Sequence, residues 1–400
     1  MSAGIVIVGA GMAGHSAAAA LRAGGYDGSL TLIGGEAHAP YDRPPLSKAA
    51  LVSEAEPQPA WLASAANPDL RRGVSALNLD CAAKTIGLSD GTRLDYDKLL
   101  LATGAKPRRL AFPGGERALL LRNFEDVLAL RAQFQPQRRI VIIGGGFIGL
   151  ELAASAVQRG CRVTVIEALP RILMRAVPET IARVVHERHQ AAGVNMITGI
   201  GVASIADSAV RLADGSEIPF DAVIAGIGAA PETRLAETAG LALENGIAVD
   251  ATLRTSDPHV FAAGDCCSFP HALFDGARIR LEAWRNAQDQ GMHVAQNLLG
   301  AGREYTAIPW FWSDQHDLSL QVAGLPHLGA AVVERKPASG TLVLFHLAAG
   351  RLVGVSGIGP GNTVARDIKL GEMLIAKRAA PDAAALADPS VPLKSLLKSL

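Results

Sequence analysis

Two glycine-rich loops limit what this chain can fold into. Gly9-Ala10-Gly11-Met12-Ala13-Gly14 follows the apolar run Gly4–Val8, and Gly144-Gly145-Gly146-Phe147-Ile148-Gly149 follows Ile140–Ile143. Each GxGxxG spacing separates a strand-like run from a helical pattern. In a dinucleotide fold the first glycine makes the tight turn, the second lets backbone approach a pyrophosphate, and the third lets helix pack on sheet. The start of the helix adds unpaired N–H groups and a partial positive charge. One such loop also fits a plain helix-start turn built of small residues. Two, each in the full strand–turn–helix setting, point to two bound dinucleotides.

The first unit reads as strand Gly4–Val8, helix Met12–Ala23 and strand Ser29–Ile33, followed by Glu36. The second reads as strand Ile140–Ile143, helix Phe147–Gln158 and strand Arg162–Ile166, followed by Glu167. An acid about 20 residues past such a loop binds ribose hydroxyls, so Glu36 and Glu167 are the ribose candidates. A carboxylate at Glu167 repels a 2′-phosphate by about 4 kcal/mol at ~4 Å and an effective dielectric near 20. The nearest following arginine is Arg171, so NADH is expected over NADPH. A flavin facing a nicotinamide is the usual reason for one chain to hold two dinucleotides.

Length and composition agree with a multidomain globular protein. The chain has 400 residues, more than one core usually serves. Lysine plus arginine and aspartate plus glutamate both number 38, which argues against general nucleic-acid binding. The four cysteines at 81, 161, 266 and 267 form no Cys-x-x-Cys and no zinc-type cluster. No metal is expected, and a reduced cytoplasmic setting fits. No leader is expected ahead of the first strand, and no apolar run reaches the roughly 18 residues of a membrane span.

Further motifs carry a resemblance. They are Tyr41-Asp42-Arg43-Pro44-Pro45-Leu46-Ser47-Lys48, Leu99–Arg108 with Ala102-Thr103-Gly104, Gly144–Glu151, Val260–Asp265 ending in Gly264-Asp265, Leu281–Ala287, and Pro309-Trp310-Phe311-Trp312-Ser313-Asp314-Gln315. In this order they resemble the FAD-dependent pyridine nucleotide-disulfide oxidoreductase superfamily. Within it they resemble the NADH-dependent ferredoxin reductases of bacterial oxygenase and cytochrome P450 systems. The similarity spans essentially the whole chain.

The resemblance implies an α/β fold with two Rossmann-like dinucleotide-binding domains, for FAD and NAD, and a mixed α/β C-terminal domain. Residues 1–112 and 235–308 would form the FAD domain, 113–234 the NADH domain and 309–400 the C-terminal domain. Gly9, Gly11, Ala13 and Gly14 would hold the FAD pyrophosphate. Arg43, Lys48 and Arg122 would touch FAD, with Lys48 near the ring and Val74 meeting the adenine by backbone. Thr103, Gly104 and Gly264 would line the strand ends beside it, with Asp265 at the ribityl or phosphate region and Trp284 near the ring. Gly144, Gly146, Phe147, Ile148, Gly149 and Gly228 would line the nicotinamide-dinucleotide crevice, with Glu151 beside the nicotinamide and paired with Lys48. The family often has an acid at the place of Gly35, which shifts the ribose contact to Glu36 or to backbone.

The implied activity is hydride transfer from NADH to FAD, followed by single-electron delivery to a [2Fe–2S] ferredoxin that serves a P450 or ring-hydroxylating oxygenase. Lys48, Glu151, Trp284 and Trp312 are the candidate catalytic residues, Trp312 toward the acceptor. Rubredoxin reduction, quinone or other NADH oxidoreduction, and a redox-sensing interaction flavoprotein are the alternatives. A disulfide reductase needs a cysteine beside the flavin, and none lies between Gly14 and Lys48; vicinal Cys266-Cys267 are expected to pack. A basic docking face could draw on Arg278, Arg280, Arg285, Lys369, Lys377 or Arg378. Leu393, Leu396, Leu397 and Leu400 form a stripe expected to pack on its own domain. His186 and His189 are expected on an exposed helix, and His15 to cap or pack after the first loop.

Overall fold

The computed structural model describes residues 4–63, 67–337 and 340–398. They gather into two compact units. One contains the residues up to Asp42 with Ala60–Lys106 and Ala230–Pro309; the other contains Arg43–Pro59, Pro107–Ala229 and the residues from Trp310 onward.

The first unit is built on five parallel strands in the order Val260–Ala262, Lys98–Leu101, Ile5–Val8, Leu30–Gly34, Asp69–Arg72. Ile5–Val8 is buried along its whole length. A parallel strand covered on both faces has no side to give to water, hence its unbroken apolar sequence. The crossover to Leu30–Gly34 is helix Met12–Ala23, with the bounds read from the sequence. Its inward side is alanine-rich, with Ala13, Ala17 and Ala18 buried. Helix Trp284–Leu298 therefore packs so close that a Cβ at Gly291 would strike the Ala13 carbonyl. The unit also holds two three-stranded sheets, one of Ala76–Asp80, Thr85–Leu88 and Arg93–Asp95, the other of Ile247–Ala248, Cys267–His271 and Ala277–Ile279, and a two-stranded pair of Tyr41–Asp42 with Ala60–Trp61.

The second unit holds the other parallel sheet, in the order Asn195–Thr198, Arg162–Glu167, Arg139–Ile143, Ala222–Ala225. Helix Phe147–Gln158 again has the expected bounds. The chain's last quarter adds five antiparallel strands in the order Trp310–Gln315, Leu318–Gly324, Arg351–Pro360, Leu342–Ala348, Ala331–Arg335. Helix Ala365–Ala376 covers this sheet, with Gly371 seated against Val355. Trp310–Gln315 is one of its two edge strands. Its two-residue alternation puts Phe311, Ser313 and Gln315 on one face and Trp310, Trp312 and Asp314 on the other.

Leu393 is buried, and Leu396 and Leu397 are half-buried; Leu400 lies outside the described residues. No helix among the described residues is long and apolar enough to cross a membrane. His189 departs from expectation. It is fully buried, because it continues the Ile181, Ala182, Val185 stripe of helix Glu179–Ala191, whereas His186 is half-buried.

Candidate functional site

In both units the three glycines of the loop have separable jobs. Gly9 and Gly144 take φ of 113° and 111°, a region side chains avoid. A Cβ on Gly9 would strike the Ala102 carbonyl, and one on Gly144 the Gly226 carbonyl. A Cβ on Gly14 would strike the Gly9 carbonyl, and one on Gly149 the Gly144 carbonyl. These four glycines are required by the protein's own packing. The middle glycines are not. Nothing lies within 4 Å of a Cβ at Gly11, and only the Gly226 carbonyl, at 3.8 Å, approaches one at Gly146. Both are the N-cap residues of their helices, and neither helix start has a side-chain cap. Each loop thus keeps an open concavity beside unpaired helix-start N–H groups, which is the shape and polarity a pyrophosphate requires.

Several of the remaining candidates of the first unit lie against its loop: a Cβ on Gly9 would come 3.3 Å from Thr103 N, and one on Gly34 2.9 Å from Ala10. Glu36 accepts a hydrogen bond from the Tyr41 hydroxyl at 2.5 Å. The Val74 N–H donates to the Gly34 carbonyl at 3.1 Å, which lays Val74 alongside the Gly34–Glu36 strand end. The Thr103 hydroxyl donates to the Glu232 carbonyl at 2.6 Å, and Gly104 has a φ of 71°. The Gly264 N–H donates to Gln290 Oε1 at 2.7 Å, and a Cβ on Gly264 would lie 3.0 Å from that of Ala13. The half-buried Asp265 follows at the same turn. Trp284 opens its helix, and its indole N–H donates to Asp42 Oδ1 at 2.6 Å. His15 is half-buried, and burial pushes its imidazole below the ordinary value. Gln290 was not foreseen: it is fully buried, and its amide nitrogen lacks a partner among the described residues.

In the second unit Glu167 clamps its loop. One carboxylate oxygen accepts the Gly145 N–H and the other the Leu169 N–H, each at 2.8 Å. A carboxylate offers about four acceptor positions, so capacity for ribose hydroxyls remains. Arg171 is turned to the carbonyls of Ile172, Met174 and Val177. Ile148 is exposed at the loop mouth, Phe147 packs edge-to-face on Phe311 at 5.2 Å, and Gly228 has a φ of 91°. Arg43 Nη1 donates to the Arg122 carbonyl at 2.6 Å, which brings those two candidates together.

The same unit gathers Lys48, Glu151 and Trp312 from three distant stretches of sequence. Residues Pro44–Ser47 form a single 3₁₀ turn, started by its prolines, and helix Ala49–Val52 follows. The Ser155 hydroxyl donates to the Ser47 carbonyl at 2.7 Å and pins that turn to helix Phe147–Gln158. Lys48 Nζ then lies 3.4 Å from Glu151 Oε1, 3.1 Å from Asp314 Oδ2 and 5.5 Å from the Trp312 ring centroid. Trp310 stacks on Trp312 at 5.4 Å. Only 6% of the Glu151 side chain is exposed. A nearly buried carboxylate persists only when paired and hydrogen-bonded. Here Lys48 supplies the charge, and the Ser47 and Ser313 hydroxyls donate at 2.5 and 2.6 Å. Asp314, Ser47 and Ser313 were not singled out in the sequence; the Ser-Lys and Trp-Ser-Asp neighbourhoods of Lys48 and Trp312 were the available signal.

The sequence profile of the pyridine nucleotide-disulphide oxidoreductases matches residues 3–291, and that of the reductase C-terminal domain matches 310–397. The chain belongs to the pyridine nucleotide-disulphide oxidoreductase family. It is 42% identical to the ferredoxin–NAD(+) reductase component of the anthranilate 1,2-dioxygenase system of Burkholderia cepacia, over 98% of each chain. The crystal structure of the covalent putidaredoxin reductase–putidaredoxin complex superposes with a TM-score of 0.93 at 34% identity, covering 99% of this chain and 98% of that one. The ferredoxin reductase for the CYP199A2 system of Rhodopseudomonas palustris superposes with a TM-score of 0.93 at 36% identity, covering 98% and 99%.

Most of the basic residues considered for docking also hold partners within the chain. Arg278 donates to the Val249 and Ser268 carbonyls and pairs with Glu244; Arg280 donates to the Asp265 carbonyl and pairs with Glu282. Arg285 pairs with Asp289, Lys369 pairs with Glu372, and Lys377 donates to the Leu397 carbonyl. Arg378 has a φ of 53° just past its helix.

Proposed function

We propose that this protein is an FAD-containing, NADH-dependent ferredoxin reductase that passes single electrons to a [2Fe–2S] ferredoxin serving a P450 or ring-hydroxylating oxygenase. The observation that carries the reading is the pair of loops whose middle glycines, Gly11 and Gly146, are left open while their neighbours are packed shut. FAD supplies, when bound, the conversion of a two-electron donor into a one-electron donor. The loop through Gly11 would hold it, and the loop through Gly146, with Glu167 at its side, would hold NADH. Lys48 would bring a positive charge that favours the reduced ring. Glu151 and Asp314 hold that ammonium in place, and Trp312 lines the way toward the acceptor. The domain limits given above, and a cytoplasmic setting, belong to the same reading.

The cysteines support electron transfer over disulfide chemistry. Burial pushes the thiols of Cys81, Cys161, Cys266 and Cys267 up, so none is held as the thiolate that exchange requires. Anaerobic titration of the purified yellow protein with NADH, followed by cytochrome c reduction through added small ferredoxins, tests the proposal. Bleaching by NADH and ferredoxin-dependent turnover are expected. A colourless protein that cannot be reconstituted with FAD, or one not bleached by NADH, refutes it.

A further inference from the structure

Glu151 ends a buried chain of hydrogen bonds for which the proposed reaction has no stated use. Ser313 Oγ donates to Glu151 Oε1 at 2.6 Å, and Gln315 Nε2 donates to Ser313 Oγ at 2.8 Å. Gln315 Oε1 meets His189 Nε2 at 2.9 Å, and His189 Nδ1 meets His316 Nε2 at 3.2 Å. Ser313, Gln315 and His189 are all at most 1% exposed. These residues come from helix Glu179–Ala191, from edge strand Trp310–Gln315 and from the turn after it.

The charge on Glu151 fixes the direction of every bond in this chain. An ionised carboxylate can only accept, so the one Ser313 proton points to it. The Ser313 oxygen is then free to accept, which requires the Gln315 NH₂ on that side and its carbonyl toward His189. That carbonyl needs a donor, so His189 carries its proton on Nε2. Its bare Nδ1 accepts from His316. The opposite polarity would require a proton on Glu151.

We infer that His189 is a positioning residue which, through Gln315 and Ser313, fixes the Glu151 carboxylate as an oriented acceptor beside Lys48. The inference rests on the proposed function, in which Lys48 and Glu151 serve hydride transfer. Burial pushes His189 down to about 4, which keeps it neutral and its tautomer constant near neutral pH. Lys48 and Asp314 face the Glu151 end of the chain. His316, His186 and Arg188 face the other end, with Arg188 paired to Asp317 at 2.5 Å.

Gln315→Glu tests this with almost no change of shape. When ionised, the introduced carboxyl draws the Ser313 proton away from Glu151; when protonated, it can donate to Ser313 as the amide did. In single-turnover mixing with NADH, the flavin-reduction rate of Gln315→Glu should fall about tenfold at about pH 8 and recover toward about pH 5, with NADH affinity within about twofold of wild type. His189→Gln, which keeps a donor at the Nε2 position, should retain the wild-type rate, and His189→Leu should lose it. Nitrogen NMR of histidine-labelled wild-type protein should show His189 protonated at Nε2 and bare at Nδ1. A pH-independent defect in Gln315→Glu, a wild-type rate in His189→Leu, or an Nδ1-protonated His189 overturns the inference. Absence of any NADH-driven reduction in wild type counts instead against the proposed function, and the tautomer still reports on the chain.

Discussion

His346 should make the protein labile to mild acid, by an amount the structure sets. It lies on strand Leu342–Ala348, 2% exposed, with Nε2 3.1 Å from Ser356 Oγ. Burial, with no compensating charge, pushes its imidazole from 6.5 down to about 4. The unfolded chain takes up a proton near 6.5, while the folded chain refuses it until about 4. Stability from this group is therefore fully present above 6.5, drains as pH falls from 6.5 to 4, and changes no further below. At 1.36 kcal/mol per unit the loss is about 3 kcal/mol. His346→Gln removes the titration and keeps a donor near Ser356. Denaturant unfolding of FAD-loaded wild type and variant should be compared between pH 7.5 and pH 4.5. The variant should start slightly less stable and lose about 2–3 kcal/mol less than wild type across the range. The paired carboxylate Asp221, held to about 2 first by its hydrogen bond from the Arg139 side chain, acts only below this window. Equal acid losses in the two proteins would refute the reasoning.

The two loops give a paired expectation. Gly146→Ala should leave thermal stability unchanged and raise the KM for NADH about tenfold or more, whereas Gly149→Ala should destabilise the protein through the Gly144 carbonyl. Steady-state kinetics and melting curves separate the two. Lys48→Met should retain FAD and slow NADH-driven flavin reduction by about tenfold or more in stopped flow, since Glu151 and Asp314 lose their shared cation. Trp312→Ala should reduce ferredoxin-linked cytochrome c reduction while sparing ferricyanide reduction; equal losses would count against a role toward the acceptor.

Both loop helices were legible to the residue because glycine at Gly9, Gly14, Gly144 and Gly149 is a steric requirement that leaves a fixed spacing in sequence. The Lys48–Glu151 pair came from resemblance alone, since nothing local in either stretch points to the other. Asp314, Ser47 and Ser313 escaped because a hydroxyl or a carboxylate on a short element has no periodicity of its own; its partner is set by tertiary packing. His189 is the instructive miss. Its side chain suggested a surface, but the helical spacing from Ile181 and Val185 placed it inside, and the spacing prevailed. The antiparallel order of the last five strands depends on long-range pairing, as between Val322 and Ser356, that no short motif encodes.

The interrupted first unit constrains the order in which the chain can assemble. Its main sheet lacks an edge until Val260–Ala262 exists, and its first loop helix lacks a neighbour until Gly291 can lie on Ala13. The parallel sheet of the second unit ends at Ala225. A ribosome therefore releases every strand of the later nucleotide fold before the earlier one can close. Some 250 residues of synthesis separate the opening strand from Val260–Ala262, and throughout that interval the outer edge of Lys98–Leu101 waits for a partner not yet made.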